Sequence, residues 1–163
     1  MKRLLLVLGM IVSINAIAQS GAKEDVDIIQ SSYGKSKQDL VKTYMDLKEQ
    51  QAAAFEKVYE AYEAERKVLG RKRMDLLNEY VTNYATLTDE KAHEIAKATL
   101  KNNMAYEKLY SKYYDKVKKA VGAVNAAKFI QLETALQTAI KGETQDAIPF
   151  IGEIDRSKKN QGP

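Results

Sequence analysis

Between Ser36 and Ile151 the apolar positions recur at three-, four- and seven-residue steps, the period of a helix that buries one face. The first block, Lys37 to Asp46, reads as a short helix capped by Ser36, with Leu40, Val41, Tyr44 and Met45 on its apolar side. From about Lys48 to Thr86 a second, much longer stripe follows: Phe55, Val58, Tyr59, Tyr62, Leu69, Leu76, Tyr80, Tyr84 and Leu87. Roughly 38 residues at 1.5 Å each span some 57 Å. Its middle, Glu63 to Arg73, is thin in apolar residues and contains Gly70, so a bend or weak packing is expected there. Thr88 suits the N-cap of a third helix, with Asp89 and Glu90 where the helix dipole favours negative charge. Ala92, Ile95, Ala96, Thr99, Tyr106, Tyr110, Tyr113, Val117 and Val121 form its inner face. The connection between the two long helices is so short that they must fold back on each other. Asn125 reads as the cap of a fourth helix, Ala126 to Lys141, closed by Gly142. The pattern predicts an all-α chain: an elongated antiparallel helical hairpin with flanking shorter helices, about four in total, over residues 37–151.

Composition strengthens that assignment. Pro149 and Pro163 are the only prolines, so nothing from Gln19 to Ile148 interrupts a helix as proline does. Tyrosine is unusually common, with 10 Tyr against 3 Phe and no Trp, and Tyr106, Tyr110, Tyr113 and Tyr114 crowd two helical turns. Tyrosine joins a large apolar body to a polar tip, so these rings suit both a hairpin core and a half-exposed contact surface.

Ahead of the helical blocks, Lys2 and Arg3 precede an apolar run from Leu4 to Ile14, and Ala16-Ile17-Ala18 is a small-x-small site. This predicts a signal peptide over 1–18 with cleavage before Gln19. The run falls short of the ~20 apolar residues of a membrane span, so no stable membrane insertion is expected. Residues 19–36 read as a mobile leader and 152–163 as a disordered tail. With Lys2 and Arg3 removed, the formal net charge of +4 falls to +2, too little for a global field that would gather polyanions. The chain has no cysteine, which excludes disulfide staples and a lipid-anchored cysteine and fits a bacterial periplasm.

Candidate chemistry is sparse. His93 is the sole histidine, and Ala96 and Lys97 stand where a second helical metal ligand would have to be. There is no glycine-rich phosphate loop and no nucleophilic cysteine. Neither a cofactor nor a metal is expected, and the chain does not read as an enzyme. The basic group Arg66, Lys67, Arg71, Lys72 and Arg73 lies at the midpoint of the longest helix, either as a solvated face or as a positive patch for unfolded chains or acidic groups. Nucleic acid is not an expected partner of an exported protein.

Leu47-Lys48-Glu49-Gln50-Gln51, followed by Ala54 and Phe55, resembles the LTxxQ motif of the periplasmic Spy/CpxP family, with Lys48 in place of the threonine. Leu87-Thr88-Asp89-Glu90-Lys91 resembles the start of the same motif. Val121 to Phe129 keeps the layout of the family's second motif without its letters. Lys128-Phe129-Ile130-Gln131-Leu132-Glu133 and Ile148-Pro149 look like a branch common in Bacteroidetes-type genomes. The resemblance covers roughly Leu40 to Phe150. It implies a helical, cradle-shaped homodimer, some members of which hold unfolded clients without ATP and others damp an envelope-stress sensor kinase.

The reading is therefore a periplasmic ATP-independent chaperone or envelope-stress adaptor that binds unfolded or envelope proteins. Tyr59, Tyr62, Arg66, Arg71 and Arg73 are the expected client-binding residues, and Leu47, Gln51, Phe55, Phe129 and Glu133 the structural ones. Two alternatives stand beside it: a heavy-metal sensor or scavenger using His93, Met104 and nearby carboxylates, and a helical spacer with one fixed partner.

Overall fold

The computed structural model describes residues 36–151. The expected signal peptide, all of the expected leader but Ser36, and the expected tail from 152 onward lie outside the described residues. Within them the fold is all-α: α1 (Lys37–Met45), α2 (Glu49–Asn83), α3 (Asp89–Val121) and α4 (Ala123–Asp146), with a single 3-10 turn at Tyr84–Thr86 and no strand among the described residues.

Local chemistry explains the boundaries. Ser36 caps α1 by accepting from the Asp39 amide, and Asp46 ends it in the left-handed conformation at φ 46°. Thr88 Oγ1 accepts from the Lys91 amide at 3.3 Å and starts α3 where its position in the sequence predicts. α2 and α3 then run antiparallel. Glu79 meets Lys91 at 3.1 Å, the Leu69 carbonyl meets Asn102 Nδ2 at 3.3 Å, and Glu65 meets Lys112 at 2.7 Å, so contacts step down one helix as they step up the other.

Two expectations need correction. Asn125 does not cap α4. The helix starts at Ala123, directly after Gly122, and the Asn125 side chain instead donates to the Val121 carbonyl at 2.9 Å. Gly122 alone makes the junction: at φ 88° and ψ 165° it serves as C-cap of α3 and N-cap of α4, a conformation essentially reserved for glycine. Nor does Gly142 end α4, which continues to Asp146. Buried Thr144 satisfies itself on the Ile140 carbonyl at 2.8 Å and carries the helix past the glycine.

The middle of α2 runs through Gly70 as continuous helix. Where apolar side chains thin out, polar ones pack instead, as Arg66, Arg73, Asn102, Glu133 and Gln137 are all buried. The core is an aromatic stack. Phe129 of α4 is fully buried and lies edge-on to Phe55, Tyr59 and Tyr62 of α2 at 5.6, 6.3 and 5.1 Å between ring centres. Tyr113 of α3 closes it against Tyr62 at 5.3 Å. α4 thus covers the tyrosine stripe, and α1 covers its remaining edge by inserting Val41 and Met45.

Candidate functional site

Two features dominate the chemistry: an ion cluster inside the bundle and an apolar groove at the end of the hairpin. In the cluster, Lys37 Nζ of α1 pairs with Glu63 of α2 and, at 2.8 Å, with Glu133 of α4. Arg66 grips the same Glu63 at 2.8 Å, and the Tyr62 hydroxyl donates to Glu133 at 2.7 Å. Two cations thus balance two carboxylates, which is what burial at this depth requires. Burial pushes the Glu63 carboxyl up, but Lys37 and Arg66 outweigh it and hold the group below the usual carboxylate range. The Tyr59, Tyr62 and Tyr110 phenols are pushed well above their ordinary value, first by burial and then by neighbouring carboxylates, so they remain protonated. Lys37 also faces the Tyr59 and Tyr62 rings at 5.9 and 5.4 Å.

The groove forms because α4 stops at Asp146 and the chain then crosses the ends of α2 and α3 as a strap, Ala147 to Ile151. The Tyr80 hydroxyl donates to the Pro149 carbonyl and the Tyr84 hydroxyl to the Phe150 carbonyl, each at 2.8 Å. Between strap and hairpin lies a cavity of about 520 Å³ walled by Leu76, Leu77, Tyr80, Leu87, Ile95, Ala96 and Leu100, with Arg73, Asn102 and Asn103 as its polar part. Leu100 is 58% exposed, and exposed Met104 lies one turn beyond it on α3. Exposed Lys97 and Lys101 neighbour Ala96 and Leu100 along α3, and exposed Arg71 and Lys72 precede Arg73 along α2. No carboxylate, imidazole or thiol lines the groove among the described residues. It is equipped to hold apolar side chains, with Arg73 the one cation in its wall among the described residues.

The residues singled out from sequence divide differently from expectation. Of the five expected to meet clients, only Arg71 is exposed. Tyr59, Tyr62, Arg66 and Arg73 are 8, 0, 6 and 8% exposed and face inward. The reason is geometric. They recur at three-, four- and seven-residue steps on the stripe that α4 and α1 cover, and the two arginines are drawn in by Glu63 and by Gln137, the latter at 3.3 Å from Arg73. Phe55, Phe129 and Glu133 meet in the core, with Leu47 and Gln51 half-buried near it. His93 and Met104 are both exposed and stand eleven residues apart on α3, about 16 Å along the axis, too far to share an ion within one chain.

Sequence reasoning missed Lys37 and Glu63, and also Leu77 and Leu100. The last two fall off the apolar stripes used to place the helices, and a second, offset apolar position was the only available signal. Among the described residues no helix is long and apolar enough to cross a membrane. Searches for related proteins found no matching family model, curated protein or solved structure.

Proposed function

We propose that this chain is a periplasmic, ATP-independent chaperone or envelope-stress adaptor of the Spy/CpxP type, without enzymatic activity, that binds unfolded or partially folded envelope proteins. The observation that carries the reading is the groove beneath the strap. It is an open, largely apolar surface with Arg73 in its wall, held between the strap and the α2–α3 hairpin. Such a surface takes apolar side chains of many shapes, while exposed Arg71, Lys72, Lys97 and Lys101 steer acidic segments towards it. In this reading the client surface is the end of the hairpin, where Arg73 lines the groove and exposed Arg71 lies two residues before it on α2, while Tyr59, Tyr62 and Arg66 lose the role first expected of them.

The test is aggregation of two unrelated clients, followed by light scattering without nucleotide. Near-stoichiometric protein is expected to slow both. Leu100→Asp, at a position open enough to accept a charge without unfolding the helix, is expected to abolish most of the protection at unchanged helix content. Unchanged aggregation at several-fold excess of the wild-type chain would remove the chaperone reading and leave an adaptor with one fixed partner.

A further inference from the structure

α1 is attached differently from the other helices. It has nine residues, below the ~12–15 at which an isolated helix holds its own conformation in water. It hinges on Asp46, the one residue other than glycine with positive φ among the described residues. It also packs incompletely. A cavity of about 350 Å³ remains between it and the start of α2, lined by Val41, Met45, Leu47, Phe55 and Tyr59. Two apolar knobs, Val41 and Met45, and the Lys37 ammonium between Glu63 and Glu133 are its buried attachments, and Lys128 on the Met45 carbonyl, Tyr44 on Gln131 and the Lys42–Glu56 pair add weaker ones at 3.3, 3.3 and 3.9 Å.

Removing α1 leaves a characteristic surface. Phe55 and Tyr59 lose their cover, and among the described residues Glu63 and Glu133 are left with Arg66 as the cation beside them, fewer positive charges than carboxylates. A surface of that kind calls for an apolar stripe with a cation at one end. Glu133 is fully buried, and its Oε1 accepts no hydrogen bond among the described residues, so the site holds one more acceptor than the ammonium uses. The geometry points to the α1 cleft as a docking site for a basic amphipathic helix of another polypeptide, with α1 as its displaceable internal occupant. The incoming helix carries Lys or Arg where Lys37 stands and apolar side chains four and eight residues later, in place of Val41 and Met45. Arginine suits it better than lysine, because a guanidinium supplies the extra donor for Glu133. This site is separate from the client groove at the far end of the hairpin and does not rest on the chaperone reading.

The probe is a fluorescein-labelled peptide with the sequence of Ser36 to Lys48, added in trans to the full chain and followed by anisotropy. In the wild type the tethered α1 competes at high effective concentration, whereas Lys37→Glu sets a third carboxylate against Glu63 and Glu133 and expels it. The peptide is expected to bind the Lys37→Glu chain at least tenfold more tightly than the wild type. A peptide with Arg at the Lys37 position should bind more tightly still, and one with Glu there should not bind. Equal affinity for both chains, or indifference to the charge at that position, overturns the proposal. Should Lys37→Glu lose helix content, hydrogen exchange of the unaltered chain decides. α1 amides exchanging at least tenfold faster than buried α3 amides support a displaceable helix, and α1 exchanging in step with α3 refutes it.

Discussion

Glu63 is the residue on which three segments of chain depend, because it accepts from both Lys37 and Arg66 while Lys37 reaches on to Glu133. Its folded-state pKa is lowered, so it contributes stability above the ordinary carboxylate range, and that contribution is lost as pH falls through the folded value. Urea titrations from neutral pH downward should show the wild-type midpoint falling in acid. Glu63→Gln should lower the neutral-pH stability by about 3 kcal/mol, since breaking a buried pair strands its cations, and should flatten the acid limb. None of this network was legible beforehand. Lys37 and Glu133 lie 96 positions apart, and a charge string such as Arg66 to Arg73 looks the same whether solvent or a distant carboxylate receives it. The aromatic members were legible as a stripe, because their spacing alone puts them on one face.

At the level of elements, helix existence followed from periodicity, and the start of α3 from Thr88 and its two acidic followers. Glycines were harder to read, since one inside a helix and one that ends it differ only in φ. Gly142 is the first kind and Gly122 the second. A Cβ at Gly122 meets nothing within 4 Å, so the cost of a side chain there is backbone strain alone. Gly122→Ala should therefore destabilise the chain by about 1–3 kcal/mol, whereas Gly142→Ala should stabilise it by up to ~1 kcal/mol. Thermal melts of the two variants should move in opposite directions.

For the molecule as a whole, the α2–α3 hairpin has two sides, and α4 with α1 covers only one. The other side carries a shallow groove lined by Val68, Leu69, Ala105 and Leu109, with Glu65, Lys108 and Lys112 beside it. Val68 is 54% exposed. A homodimer of the kind the family resemblance implies would have this side free to bury in association. Light scattering should give the mass of two chains, and Val68→Glu should return the mass of one without loss of helix content. A single-chain mass for the unaltered protein would contradict the homodimer that the resemblance implies. Sequence could indicate how much apolar surface the long helices carry, but not which side α4 would take, because that choice follows from the reversal at Gly122.

The strap at the groove is tethered through main-chain oxygens. Tyr80 and Tyr84 donate to the carbonyls of Pro149 and Phe150 and to no part of their side chains. These two bonds are sensitive to count, while Ile148, Pro149 and Phe150 line the groove itself. Changing the letters of the strap leaves both acceptors in place, whereas one residue added or removed between the end of α4 and Pro149 carries both carbonyls out of register with the hydroxyls. Insertion in this stretch is therefore resisted, the reverse of what an exposed loop normally allows.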